Sequence, residues 1–147
     1  MYLVDTNHCS RLIEQDPQVV RAFVNVQATS CFISTIVQGE LVFMAMFSAR
    51  PATNLLRVNS LVSGLAVVPI DAAVANRYGE LKAALLNHYG PKERARRRRT
   101  TVQDIGVSDN DLWIAATALE YNLIVVSADT DFSRIQAVAP LQLESWV

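Results

Sequence analysis

Short apolar runs alternate with longer amphipathic stretches along this chain, and polar or turn-forming residues separate them. Tyr2-Leu3-Val4 is apolar and ends at Asp5, which predicts a short buried strand. Asp5-Thr6-Asn7 is turn and capping chemistry, and a helix is expected from about His8 to Glu14. Asp16-Pro17 opens a second helix, with Val19, Val20, Phe23, Val24 and Val26 on its apolar side. Cys31-Phe32-Ile33 predicts a second strand. Ser34-Thr35 caps a helix to about Ser48, apolar nearly all round. Pro51 starts a further helix, which Gly64 ends. Ala66-Val67-Val68 predicts a third strand, and Asp71 opens a long helix to Tyr89.

Gly90-Pro91 stops that helix. Residues 92–105 are polar and basic and read as a loop or mobile excursion. Ser108-Asp109-Asn110-Asp111 looks like another helix start, with Leu112, Ile114, Ala115, Ala118 and Leu119 as its buried face. Leu123-Ile124-Val125-Val126 is the most strand-like run, and Leu141 to Leu143 is a candidate fifth strand. Strands separated by helices imply right-handed crossovers and a parallel sheet covered on both faces. The expected architecture is α/β, a three-layer α/β/α sandwich with a short parallel sheet. It fills residues 1–147 as one domain, with the basic excursion at about 90–105.

Composition narrows the possibilities. Hydrophobic residues make up 51% and charged residues 18% of the 147 positions, which describes a folded protein and not a disordered one. The N-terminus lacks the basic-then-apolar pattern of a signal peptide. The longest apolar candidate, Val58 to Ile70, is interrupted by Asn59, Ser60, Ser63, Gly64 and Pro69. A cytoplasmic protein without a membrane span is the expectation. Cys9 and Cys31 are unpatterned and flanked by apolar sequence, so buried thiols are expected. The net charge of −1 hides an asymmetry. Lys92, Arg94, Arg96, Arg97, Arg98 and Arg99 are six of the thirteen basic residues, opposed in that stretch only by Glu93.

In an open α/β sheet, ligands bind beyond the carboxyl ends of the strands. Asp5 ends the first strand, and Asp129 lies just past the fourth. Asp111 sits in the first turn of the helix leading into it, and Glu40 two turns into the helix after the second. Each aspartate also has a plain explanation. Asp5 is a candidate helix cap, Asp111 a capping-box partner of Ser108, and Asp129 and Asp131 are candidate turn residues. Glu40 is harder to dismiss, because a charge within Ile36-Val37-Gln38-Gly39-Glu40-Leu41-Val42-Phe43-Met44 is costly unless paired or metal-bound. No basic residue occurs between Arg21 and Arg50 to pair with it locally.

Carboxylates gathered at one edge repel, so the group needs protons or a cation. Oxygen-only ligands suit Mg²⁺ or Mn²⁺, whose natural chemistry here is attack on a phosphodiester. No Gly-rich phosphate loop, nucleophile elbow or Cys/His zinc spacing competes. His8 and His88 have no evident triad partner and read as ordinary residues.

The motifs then converge on a family. Tyr2-Leu3-Val4-Asp5-Thr6-Asn7, Ile33-Ser34 through Gly39-Glu40-Leu41, and Asn110-Asp111-Leu112-Trp113-Ile114-Ala115-Ala116-Thr117-Ala118 occur in order. Val125-Val126-Ser127-Ala128-Asp129 with Asp131-Phe132 follows, and then Trp146. Together they resemble the PIN domain, and most closely the toxin ribonucleases of VapBC-type toxin–antitoxin pairs. The resemblance implies a metal-dependent endoribonuclease with a four-acid site of Asp5, Glu40, Asp111 and Asp129 holding Mg²⁺ or Mn²⁺. Thr6 and Ser127 would be supporting hydroxyls. It also implies an RNA substrate, an antitoxin protein as partner, and a homodimer.

One departure stands out, and one alternative stays open. The stretch from Lys92 to Arg99 is longer than is usual for the family, and its arginines suit RNA phosphates, an acidic partner segment, or solvent alone. Asp109 is a neighbouring acid that replaces Asp111 in the site if the helix register differs. The competing classes are a non-catalytic RNA- or protein-binding module and a phosphatase with an aspartyl nucleophile. Asn7 stands against the phosphatase, where an Asp-x-Asp strand end is usual.

Overall fold

A computed structural model describes residues 1–147. Five parallel strands form its sheet: β1 (Tyr2–Val4), β2 (Cys31–Ser34), β3 (Ala66–Val68), β4 (Ile124–Val126) and β5 (Leu143–Glu144), in the order β3-β2-β1-β4-β5. The central strand β1 pairs Tyr2 with both Cys31 and Ile124, and Leu3 with both Phe32 and Val125. Its neighbours cover both edges, so Leu3 and Val4 are fully buried.

Eight helices connect the strands. α1 (Thr6–Ile13) and α2 (Pro17–Val26) join β1 to β2, and α3 (Thr35–Met46) and α4 (Pro51–Ser63) join β2 to β3. α5 (Ala72–Tyr89), α6 (Arg94–Arg97) and α7 (Asp109–Tyr121) join β3 to β4, and α8 (Thr130–Gln136) joins β4 to β5. Steps from β1 outward to β3 run one way across the sheet; the step from β3 to β4 and on to β5 runs the other way. Right-handed crossovers therefore place α1–α4 on one face and α5, α7 and α8 on the other. The packing agrees: α1 touches α2, α3 and α4, while α7 touches α5 and α8. A core of 26 buried residues, among them Leu3, Ile33, Leu41, Leu85, Leu112, Ile114, Val125, Phe132 and Ile135, runs through these layers.

Most expected elements are present, and the differences have physical causes. The first helix begins at Thr6 instead of His8, because the Asp5 side chain accepts from the His8 backbone N–H at 2.7 Å and caps it there. The basic excursion contains a short helix, α6, and a 3₁₀ turn at Gln103–Ile105. Strand β5 falls at Leu143–Glu144, two residues later than expected, where Val125 N–H and Ser127 N–H pair with its backbone. Asp129 does not sit in a mere turn: it caps α8, a helix absent from the sequence reading. Helix α3 is apolar nearly all round, as expected, but it is not enclosed. Phe43 and Phe47 are 65% and 82% exposed and stack on each other at 5.6 Å. Both cysteines are free and buried, and burial pushes both thiols up, that of Cys31 to about 11.

Candidate active site

The carboxyl edge of the sheet gathers four helix N-termini. α1 starts after β1, α3 after β2 and α8 after β4, and α7 starts over the same edge. β1 is the point where strand order reverses, so the chain leaves it and β4 in opposite directions and opens a crevice between them. The crevice is a cleft of about 730 Å³. Asp5, Glu40, Asp111 and Asp129 all line it, together with Thr6, Ser108 and Asn110.

Asp5 is 3% exposed. Its Oδ1 accepts from the His8 backbone at 2.7 Å and from the His8 ring at 3.0 Å. Asp111 Oδ2 accepts from the Ser108 hydroxyl at 2.7 Å, while the Asp111 N–H donates back to that hydroxyl. Asp129 Oδ1 accepts from the Asp131 N–H at 3.0 Å. Asp131 Oδ2 accepts from the Ser108 N–H at 2.7 Å, and so ties α8 to the start of α7. Each aspartate thus commits one oxygen to local architecture. The second oxygen of each accepts no hydrogen bond from the protein. Capping and ligation are not rival explanations for these residues, because a carboxylate has two oxygens and capping consumes one.

Carboxylate oxygens of Asp111, Asp129 and Asp131 lie within 4.8 Å of one another. Burial pushes the Asp111 carboxyl up to about 6, and the nearby charges of Asp129, Asp131 and Glu40 add to this against the lowering hydrogen bond from Ser108. A group of acids held this close, with no basic residue lining the cleft, fits a hard divalent cation bound through oxygen. Four converging helix N-termini lower the cost of assembling the charge, each by some tenths of a kcal/mol.

Glu40 differs from the aspartates. Thr6 Oγ1 donates to its Oε2, and Asn110 Nδ2 donates to its Oε1 at 2.6 Å. Both oxygens are occupied by neutral donors, and the side chain knits α1, α3 and α7 across the cleft. The Glu40 charge is less costly than its apolar stretch suggests: the helix face around it opens to solvent, and the charge has two donors.

Asp109 faces elsewhere. It accepts from the Tyr78 hydroxyl at 2.6 Å and lies 3.5 Å from Lys82 Nζ, on the α5 side. Tyr78 in turn stacks on Trp113 at 3.7 Å. The register thus turns Asp111 into the cleft and Asp109 onto α5. Ser127 is buried and its hydroxyl accepts from the Asp129 N–H at 3.0 Å, so it shapes the turn that carries Asp129.

Three residues escaped the sequence reading. Asp131 joins the acid cluster; its signal was the Asp129-x-Asp131 spacing at a helix start, where both side chains crowd one turn. His8 is buried against Asp5, three residues beyond the cap and so on the same helix face. Asn110 anchors Glu40 from 70 residues away, which no local pattern announces.

The PIN domain family model matches residues 2–138. The chain belongs to the PIN domain family. The tRNA(fMet)-specific endonuclease VapC of Shigella flexneri is 32% identical over 146 residues, covering 99% of this chain and 97% of that protein. The protein of the same name from Salmonella typhimurium is 28% identical over 146 residues. Among solved structures, a chain of the DNA-bound VapBC complex from Salmonella typhimurium superposes with a TM-score of 0.79 at 26% identity, over 99% of this PIN domain and 98% of that chain. A chain of VapBC2 from Rickettsia felis, bound to a promoter DNA fragment, gives 0.77 at 25% identity, over 99% and 98%.

Proposed function

We propose that this PIN domain is a metal-dependent endoribonuclease and the toxin member of a toxin–antitoxin pair. The observation that carries the reading is the free second oxygen on each of Asp5, Asp111 and Asp129 along one cleft, with Asp131 grouped behind Asp111 and Asp129. Mg²⁺ or Mn²⁺ bound there supplies an activated water and neutralises charge on the phosphoryl group under attack. Asp5 and Asp111 are direct ligands in this reading, with Asp129 and Asp131 completing the acidic wall. Glu40, held by Thr6 and Asn110, orients the attacking water at the mouth of the cleft. Ser108 positions Asp111 and Asp131 together, through its hydroxyl and its backbone N–H.

The named relatives are endonucleases specific for a tRNA, which supports RNA as the substrate class. The similar structures are of VapBC complexes, which supports an antitoxin as partner. The exposed Phe43–Phe47 stack beside the cleft is apolar surface of the kind a protein partner covers. The homodimer and the cytoplasmic location follow from the family resemblance. No helix is long and apolar enough to cross a membrane.

The test is cleavage of RNA by the purified protein with Mg²⁺ or Mn²⁺, against EDTA and against Asp5→Asn. Cleavage is expected only with metal and the intact aspartate. Cleavage persisting in both controls overturns the mechanism, and absence of cleavage with intact RNA binding returns the reading to a non-catalytic module.

A further inference from the structure

The cleft that has to hold a polyanion is lined by acids and contains no lysine or arginine. Attraction for an RNA backbone must therefore come from outside it. The densest source is the segment between α5 and α7, which holds six of the thirteen basic residues of the chain.

This segment is built, not merely solvated. Gly90 opens it at a point where a Cβ would sit 2.3 Å from Leu86 O and 3.3 Å from the Arg97 side chain. Arg97 folds back and donates to the carbonyls of Pro91 and Lys92, both at 3.2 Å. Thr100 Oγ1 donates to Arg96 O at 3.0 Å, which closes α6. Asp104 is turned onto the Thr101 N–H at 2.8 Å and makes no ion pair with the arginines. Gly106, with φ +76°, closes the segment against the Arg134 guanidinium, and Arg134 donates to Ile105 O at 3.3 Å.

Arg97 therefore has a structural task, and its neighbours have none. Arg94, Arg96, Arg98 and Arg99 are exposed and no carboxylate lies within 4.0 Å of any of them. Four like charges on about a turn and a half of chain repel one another, so folding alone does not favour the arrangement. Arg96 and Arg99 line a concavity of about 580 Å³ with Tyr89, Thr100, Ile105 and one acid, Asp104. Ile105 is clamped by Arg134, which lies one turn of α8 beyond Asp131. The basic concavity and the acid cluster thus flank the same short helix.

We propose that Arg96, Arg98 and Arg99, with Arg94, form a phosphate-backbone site for RNA outside the cleft, binding the strand on the α8 side of the scissile bond. The proposal rests on the endoribonuclease reading above. Arginines on a fixed platform neutralise phosphates without reading bases, so the site supplies affinity and orientation. An acidic cleft next to a basic platform also sets the position of the strand: the backbone is drawn to the arginines, and only the phosphate at the metal enters the acids.

The experiment measures binding of a fluorescent single-stranded RNA 20-mer and of bulk tRNA to the full chain in EDTA, across a KCl titration, with cleavage in Mg²⁺ followed separately. Arg96→Gln/Arg98→Gln/Arg99→Gln is expected to weaken binding roughly 10- to 100-fold near 0.1 M salt. It should lower the log–log salt slope by about 2, at some 0.7 per neutralised phosphate. Arg96→Lys/Arg98→Lys/Arg99→Lys retains most of the slope. Single variants Arg96→Gln and Arg99→Gln each lower it by roughly 0.7 and guard against a fold defect in the triple variant. Unchanged affinity and slope in the triple variant, while the wild type cleaves RNA, overturns the platform and leaves the nuclease reading standing. Unchanged RNA binding with lost binding to a Glu-rich peptide overturns it in favour of a protein partner. A wild type that neither binds nor cleaves RNA overturns both readings.

Discussion

The ring of His8 donates from Nδ1 to Asp5 Oδ1 at 3.0 Å, and its Nε2 accepts the backbone N–H of Trp146 at 3.4 Å. An acceptor at Nε2 puts the ring proton on Nδ1, so a buried imidazole fixes the orientation of the strand-end carboxylate and holds the C-terminal segment against it. Trp146 packs edge-on to the same ring at 6.2 Å. His8→Phe keeps the aromatic packing and removes both bonds. Denaturant unfolding of this variant is expected to show a loss of about 1–3 kcal/mol, with weaker metal-dependent cleavage. Wild-type stability and wild-type cleavage together rule the positioning role out.

Asp131 is expected to matter as much as the acids legible from the strand ends. Asp131→Asn retains an oxygen for the Ser108 N–H and removes only the charge. The fold should therefore stand, while Mg²⁺ affinity, read by isothermal calorimetry, drops by roughly tenfold or more. Asp109→Asn is the contrasting case. It loosens the Tyr78–Lys82 contact on α5 and leaves Mg²⁺ affinity near the wild-type value. Equal losses in the two variants contradict the register described here.

Asp111 gives a pH signature in the absence of metal. Burial raises its folded-state pKa to about 6 from 3.8. Between about pH 4 and 6 the folded state keeps a proton that the unfolded chain sheds, so this group makes stability fall as pH rises through that window. Below it both states are protonated and the penalty is absent. With partial exposure discounted, the fall is roughly 1 kcal/mol. Urea melts in EDTA at pH 4 and pH 6.5 should show it as a difference between the wild type and Asp111→Asn. An identical pH dependence in both proteins contradicts the assignment. Mg²⁺ should reverse the trend, because the ion favours the ionised carboxylate.

Glu40 should separate chemistry from metal binding. Asn110→Ala removes one of its two donors without touching an aspartate. Cleavage is expected to fall roughly 10- to 100-fold, with Mg²⁺ affinity changed much less. A parallel loss of metal affinity would show Glu40 to be a ligand of the ion instead.

What could be read in advance follows from the range of each interaction. The alternation of strands and helices is local, so the order of elements and the parallel sheet were legible. So was the placement of Asp5, Asp111 and Asp129 at one sheet edge, because strand ends and helix starts are marked by capping residues, and Glu40 joins them in the cleft lining. Asp131 was hidden by the same chemistry, since an Asp near a turn has an ordinary explanation that is also true. The short helices α6 and α8 carry too few residues for a period to show. Helix α3 misled in another way: an apolar sequence reports that surface is covered, and cannot report whether the cover is this chain or another. Asn110 acts through a partner 70 residues away, and the second contact of His8, to Trp146, spans 138 residues; both lie beyond any local pattern.

The central position of β1 has a consequence for biosynthesis. β1 is made before the other strands of the sheet, but its partner β4 comes only at Ile124–Val126, and Asp129 and Asp131 come later still. A nascent chain that has not yet released those residues holds Asp5 on a half-paired strand, with no acidic wall opposite it. The Trp146 contact to His8 comes after all of these along the chain. The acids of the cleft thus stand opposite one another only once β4 and the start of α8 have joined β1 in the sheet.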